Sequence, residues 1–551
     1  MVKLDLVGLI PPDSQRVLEF ACEYGDLGRR FKEINPSVRY YGIENLLDKA
    51  QQASRYLDGV FLIDHPIEKL EHVGLFKSLP MDCLVYHNGV KAFANSQDCL
   101  KCQLEVLKQD GQVICHIANT QYIKDFLGGH VVDEFSLKAI IEYLRNAGIY
   151  VYEIIPYYID DIETNKKILG LLKDLLEVVP EVNLPENRFL IKGYIVRGVK
   201  GNVHKKLLLQ TLLGETLVCS RVRVEEPHSF CRSLPGVKVV SKSGHIELCD
   251  LDVQEDKVFI RQRIWSDKQT TAKQVQALIK RGYLIIGEMD DDPMLFKEFH
   301  EENQFFAFRS CHGIQVSTDA LGDFMKQYNP NVAVFKNQLK SLPAPRVYHD
   351  DLVTIFFGAL NREADWQPLM MSLNQVLSEY EEKIQVKVIY DRKFFDALKI
   401  RNKEFIPFSP YEKYIECMRS SDIAILPLAD NRFNRMKSDL KFIECAGHGV
   451  CVLASPIVYS ETIRHGKTGF IYYNHADFEL YLRHLIVDRD LRHEIADAAY
   501  EYVKSERLLC QHYKERYLWY KNLIAQLPQL NQNLIERIYE ADGIDLMQGE
   551  F

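Results

Sequence analysis

The chain has 551 residues, 47% of them apolar and 26% charged, with a formal net charge of −9. That length is too great for one hydrophobic core and implies two to four domains, and the mild acidity excludes a general nucleic-acid binder. No apolar run approaches the roughly 18 residues of a membrane span, "MVKLDLVGLIPPDSQ" lacks a signal-peptide core, and the 13 cysteines follow no paired framework, Cys99 and Cys102 having no second pair at zinc spacing.

A cytoplasmic protein with reduced thiols, no integral membrane segment and no nucleic-acid partner is the expectation. In chain order, "RVLEFA", "RYYGIE", "GVFLI", "DCLVYH" and "QVICHIA" alternate with amphipathic stretches, the rhythm of a doubly wound parallel sheet over residues 1–156. Residues 157–205 read as a connector with a short hairpin or strand pair. A second alternating region over 206–345 carries "KLLLQTLL", "KVFIRQRIW", "GYLIIGEM", "GIQVST" and "NVAVFKN", and it closes at the proline-bearing linker "LKSLPAPRVYHDD". A third, 346–525, runs through "LVTIFFGAL", "IQVKVIYD", "NKEFIPF", "DIAILPL", "GVCVLAS" and "GFIYY", and residues 526–551 read as a tail. The fold class is therefore α/β, three Rossmann-like units in succession. Ligands of such sheets sit beyond the carboxyl ends of the strands, so function is to be sought in the residues that follow each strand.

After "DIAILPL" comes "ADNRFNRMKSDLKFIECAGHG". The spacing predicts a helix with Lys437, Lys441 and Glu444 on one face, because positions i, i+4 and i+7 align. Lys437 in a first turn opposes the dipole preference, which points to an anion beside it. Ser438 can donate a hydroxyl hydrogen bond to the same group, and Glu444 can accept from vicinal ribose hydroxyls. The bland alternative is a surface helix with a Lys–Glu pair. Context adds Gly358, Asn361 and Arg362 after "LVTIFFGAL", Asp391 and Arg392 after "KVIY", and Asn434 in the loop before the helix.

Residues 350–505 resemble the carboxyl-terminal domain of GT-B glycosyltransferases of the family-4 type, and "HGKTGFIYY" resembles their usual turn. The resemblance implies a nucleotide-sugar donor held by Gly358, Asn361, Arg362, Asp391, Arg392, Asn434, Lys437, Ser438, Lys441 and Glu444. It departs from the common pattern where a first glutamate is usual, since Met436 or Lys437 stands there. Residues 206–342 resemble the acceptor-side half of bacterial polysaccharide-type enzymes. In "GEMDDDP" a carboxylate, Asp291 or Asp292, could take the acceptor proton or orient the acceptor. The same aspartates could bind Mg²⁺ or cap a helix. The resemblance implies catalysis by Asp291, Asp292 and Lys437 with no metal required. Arg261 and Arg263 stay open between substrate contact and a solvated edge, and His312 reads as a core-edge histidine.

"RVLEFACEYGDLGRRF" resembles motif I of class I S-adenosylmethionine-dependent methyltransferases, with Ala21 where the first glycine is expected. That resemblance implies S-adenosylmethionine contacts at Glu19, Gly25, Glu44, Asp64 and Asn88; a docking scaffold is the alternative. Together the resemblances imply glycosyl transfer to a glycan or glycoprotein acceptor, in polysaccharide biosynthesis and peripherally associated with a glycan-assembly complex. The competing readings are a bifunctional methyl- and glycosyltransferase and a non-catalytic nucleotide-sugar-binding scaffold.

Overall fold

The computed structural model describes residues 5–63, 79–87, 97–118, 137–158, 191–201, 205–214, 217–250, 252, 254–263, 266–348 and 352–546. The chain forms two compact units, one of Met1–Lys206 with Arg232–Lys238, the other of Leu207–Cys231 with Val239–Phe551.

The first unit is a seven-stranded sheet of β1 (Arg16–Phe20), β2 (Arg39–Glu44), β3 (Gly59–Leu62), β4 (Met81–Tyr86), β5 (Leu107–Ala118), β6 (Ile149–Tyr158) and β7 (Ile191–Lys200). The order is β3-β2-β1-β4-β5-β7-β6. The first five strands pair in parallel, and β7 runs antiparallel between β5 and β6. The apolar runs seen in the sequence are the inner strands, with Leu18, Phe20, Ile43, Leu84 and Val113 buried, as a sheet covered on both faces requires. The connector expectation is corrected here. "IKGYIVRGVK" is an integral strand of this sheet, because its backbone supplies the partners of both β5 and β6.

In the second unit, β8 (Lys206–Leu213), β9 (Val237–Ser243), β10 (Glu255–Gln262), β11 (Tyr283–Met289), β12 (Gly313–Val316) and β13 (Val332–Val334) form one sheet in the order β13-β12-β11-β10-β8-β9. Its neighbour contains β14 (Val353–Gly358), β15 (Ile384–Ile389), β16 (Lys403–Ile406), β17 (Ile423–Leu426), β18 (Cys451–Ala454) and β19 (Phe470–Ile471), ordered β16-β15-β14-β17-β18-β19 and parallel throughout. Each sheet has its own apolar core, so the unit has two lobes.

The expected tail is also corrected. Leu527–Asp542 is a helix, and its Leu530, Leu534 and Ile538, spaced four apart, are buried. Leu534 and Ile538 pack in the core of the amino-terminal lobe. The chain therefore returns to that lobe after completing the other. Asn531 meets His312 Nε2 at 3.0 Å, and Asp542 holds Arg309 Nη1 at 2.6 Å. His312 is a core histidine, 1% exposed, whose Nδ1 accepts from Ile285 N at 2.9 Å. No helix of the described residues is long and apolar enough to cross a membrane.

Candidate active site between the lobes of the second unit

Two cavities meet at Lys437 and Ser438. One, about 340 Å³, lies beyond the carboxyl ends of β10, β11, β14 and β17, and its walls include Arg223, Arg263, Asp291, Gly358, Arg362 and Lys441. The other, about 430 Å³, lies beyond β12 and β18, with Ser317, Thr318 and Arg435 among its walls.

The segment that carries the two shared residues is not one helix. Arg432–Arg435 is a single turn capped by Asn431, whose side chain accepts from Asn434 N, and a new helix begins at Leu440. The expected continuous face from 437 to 444 is corrected accordingly, with Lys437 and Ser438 preceding the helix. Asp439 breaks the run. Its carboxylate accepts from Arg507 Nη1 at 2.6 Å, Arg507 Nη2 at 2.9 Å and Thr462 Oγ1 at 2.8 Å. Met436, where a glutamate is common in the resembling family, is buried in the core of the amino-terminal lobe, and its carbonyl accepts from Thr318 Oγ1 at 3.2 Å. An apolar peg fits that place and a carboxylate would not.

Lys437 Nζ donates to Asp291 Oδ1 at 2.8 Å and lies 4.1 Å from the Phe433 ring centroid. Ser438 Oγ accepts from Asn337 Nδ2 at 2.8 Å. Lys441 Nζ donates to the Gly358 carbonyl. A Cβ on Gly358 would meet Phe356 Cζ at 2.6 Å and Tyr414 Cε2 at 2.9 Å, so only glycine lets β14 end there. Arg362 is fixed by Asp365 at 2.5 Å and by Asn434 Oδ1 at 2.5 Å. Asn434 is the bracket for this corner rather than part of the wall, since its Nδ2 donates to Asp365 Oδ1 and to the Ala429 carbonyl.

Several expected residues lie elsewhere. Asn361 is an exposed turn residue with φ +55°. Asp391 caps Arg392–Ala397 and accepts from Trp366 Nε1 at 3.0 Å, while Arg392 lies on the surface against Asp396. Glu444 is 4% exposed and is not part of either cavity wall. Its Oε1 accepts from Tyr411 at 2.7 Å and its Oε2 from Tyr414 at 3.3 Å. Burial raises its pKa, and the tyrosine bond and Lys441 oppose that rise.

The three consecutive aspartates are each held by a cation. Asp290 meets Arg263 Nε at 2.7 Å, Asp291 meets Lys437, and Asp292 meets the carboxyl-terminal lobe's Arg432 at 3.1 Å while accepting from Met294 N as a helix cap. Asp291 opens on the cavity and Asp292 does not, being 4% exposed and absent from its walls. Among the described residues no group of three or more His, Cys, Asp or Glu side chains is placed to hold a metal ion. Of the two arginines left open by sequence, Arg263 lines the cavity and Arg261 is buried against Ser266 and Thr271. Arg223, Asn337 and Tyr459 were not legible as wall residues, because a helix turn, a linker and a loop far apart in sequence bring them there.

Burial, with Arg362 adding to it, pushes the Lys441 ammonium down to about 8. A lysine is cationic below its pKa, so the cavity loses positive charge as pH rises through that value. The pull of this wall on an anion accordingly weakens above about pH 8, and the step is expected to be absent in Lys441→Met; calorimetric titration with inorganic pyrophosphate across pH checks this.

At the carboxyl end of the first unit's sheet, Glu19 is buried, held by Tyr40 Oη at 3.1 Å and His87 Nδ1 at 2.8 Å. Glu44, 2% exposed, accepts from the amides of Glu23, Asn45 and Leu46 at 2.8, 2.9 and 3.2 Å. The carboxylate thus spends itself on the turn after β1, where Ala21 and Glu23 both have positive φ. Glu19 thus accepts two hydrogen bonds and Glu44 three from the protein itself; Asp64 and Asn88 lie outside the described residues. Gly25 has φ +78°, and a Cβ there would meet Ala53 Cα at 3.0 Å. Gly25→Ala should cost about 1–2 kcal/mol of stability, read as a lowered denaturation midpoint of the first unit.

Two α/β lobes with a cationic cleft between them define the class of arrangement, and sequence and structure comparisons add the following. A family described as glycosyl transferase-like matches residues 371–518. Among solved structures, TarM is 14% identical over 49% of this chain and 54% of its own, with a TM-score of 0.39. A Rickettsia africae glycosyltransferase is 13% identical over 58% and 99%, TM-score 0.39. Anabaena Alr3699/HepE, solved with UDP-glucose, is 12% identical over 57% and 99%, TM-score 0.40. The chain spans about half the length of TarM. No curated protein sequence matches it.

Proposed function

We propose that the second unit is a GT-B-type glycosyltransferase that moves a sugar from a nucleotide-sugar to a hydroxyl of a glycan or glycoprotein. The observation that carries this is the cluster of Lys437, Lys441 and Arg362 around the Gly358 turn, in a cavity faced by Asp291 from the other lobe. Cations fixed before the reaction stabilise charge that grows on a departing diphosphate, where such preorganisation counts most. In the step proposed, the bond from the sugar's anomeric carbon to the diphosphate oxygen breaks, the electron pair leaves with the diphosphate, and the acceptor oxygen bonds to that carbon. The acceptor proton passes to Asp291. Glu444, buried against Tyr411 and Tyr414 and outside the cavity walls, is assigned no ribose contact.

The first unit is proposed to be a methyltransferase-like domain, on the strength of its strand order and the single inserted antiparallel strand. Because Glu19 and Glu44 are already engaged, no methyl transfer is assigned to it. Mass spectrometry of products from a panel of UDP-, GDP- and ADP-sugars with mixed glycan acceptors tests the proposal. A mass increase of one glycosyl residue is expected, and its absence across the panel, with Lys437→Met indistinguishable from wild type, counts against it.

A further inference from the structure

The loop 455–463 follows β18 and serves both cavities: Tyr459 lines the first, while Val458, Ser460, Glu461 and Thr462 line the second. Val458 has φ +69° and ψ −45°, and across it Tyr459 N donates to the Ile457 carbonyl at 2.8 Å. That is a three-residue γ turn of the rare, strained hand. A β-branched residue at positive φ is an outlier, and such a conformation persists only where its surroundings enforce it. Here the loop is clamped on either side of the turn. Ser455 Oγ accepts from Leu428 N at 3.0 Å, and Thr462 Oγ1 donates to Asp439 at 2.8 Å. Glycine would hold this turn without strain. The position instead carries a side chain, half-buried at the wall of the second cavity.

The rest of that wall suits hydroxyl groups better than an anion. Lys336 faces Asp319 at 3.7 Å, Arg435 faces Asp430 at 2.6 Å, and Lys437 faces Asp291 at 2.8 Å. Asp439 is matched by Arg507. Glu461 is exposed and has no ion pair among the described residues, so the wall holds no excess of positive charge. Ser438 Oγ accepts from Asn337 Nδ2 and keeps its own proton to donate, and Ser460 adds another hydroxyl. A carboxylate and hydroxyls beside an apolar side chain match a neutral, polyhydroxylated ring. Lys437 and Ser438 join this cavity to the one proposed for the diphosphate, so a ring here lies next to the leaving group.

We propose that the second cavity is a subsite for one sugar ring, and that Val458 is its specificity-determining residue, held by its strained turn where it limits the ring substituents admitted. This rests on the glycosyltransferase reading above. The ring is the donor's or the acceptor's, and two arms of one experiment separate them.

Val458→Ala and Val458→Gly shorten the side chain in two steps. The first arm is calorimetry, without acceptor, on the glucose and N-acetylglucosamine esters of whichever of UDP, GDP or ADP binds. The second counts plain and N-acetylated products by mass spectrometry from the mixed glycan acceptors, with the donor held constant. The ratio of N-acetylated to plain sugar is expected to rise from Val to Ala to Gly, about tenfold or more in Val458→Gly, the scale of a methyl-sized change in a pocket. A rise in the first arm assigns the ring to the donor; a rise in the second alone assigns it to the acceptor. Ratios unmoved in both arms overturn the proposal, as does an equal loss of both sugars together with a lowered urea midpoint in both variants, which marks a structural role only. Wild-type protein that binds none of the three nucleotides and forms no product overturns the glycosyltransferase reading itself.

Discussion

Lys437→Met is expected to lower the proposed glycosyl transfer about 10²- to 10³-fold, the scale on which a charge-stabilising donor is missed. The effect is large because Lys437 belongs to both cavities and is the cation shared with Asp291. Its removal does more than subtract an attraction, because it leaves Asp291 facing the diphosphate with Arg263, 3.7 Å away and already paired with Asp290, as its nearest cation. Asp291→Asn separates the two roles by sign. Without the carboxylate, Lys437 is free for phosphate while Arg263 stays on Asp290, so nucleoside diphosphate binds more tightly, while transfer slows about 10²-fold for want of a proton acceptor. The double variant should bind nucleotide better than Lys437→Met alone. Steady-state rates with calorimetric affinities check all three. Tighter binding with normal turnover in Asp291→Asn would remove Asp291 from the chemistry.

Arg507→Met destabilises the second unit by about 3–5 kcal/mol, the cost of breaking a buried ion pair from one side. Arg507 and Asp439 are 6% and 8% exposed and make two hydrogen bonds to each other. Arg507 also donates to the Asn337 carbonyl at 2.9 Å, and its own carbonyl accepts from Leu339 N at 2.9 Å. Those contacts join the outgoing linker and the returning segment, the two places where the chain passes between lobes. Removing both charges as Asp439→Leu with Arg507→Met costs less than the sum of the single changes. All three tryptophans, Trp265, Trp366 and Trp519, fall within this unit, so their fluorescence during urea denaturation reports on it alone.

The strands were legible because buried parallel strands are continuous apolar runs, and "VTIFFG", "IAIL" and "CVLA" stand where such runs predict them. Lys437, Ser438, Lys441, Gly358 and Arg362 were legible because they follow strand ends. What failed to show was anything decided by distant partners. The break at Asp439 depends on Arg507, 68 residues away, which no local periodicity carries. Asp391 looked like a ligand because it follows a strand, but the helix after it took the carboxylate as a cap. Glu444 kept its place on the helix yet met two tyrosines of the helix Tyr411–Arg419. Arg223 was hidden because its partners Glu288 and Phe335 lie 65 and 112 residues away. The final helix, in contrast, had its signal in Leu530, Leu534 and Ile538.

A crystal structure of the chain with a bound nucleoside diphosphate is the most direct measurement of where the leaving group sits. Phosphate density within hydrogen-bonding distance of Lys437 Nζ, with Asp291 released from that nitrogen, is the predicted result. A nucleotide seated away from both lobes' facing walls, with the Lys437–Asp291 pair intact, would contradict the account.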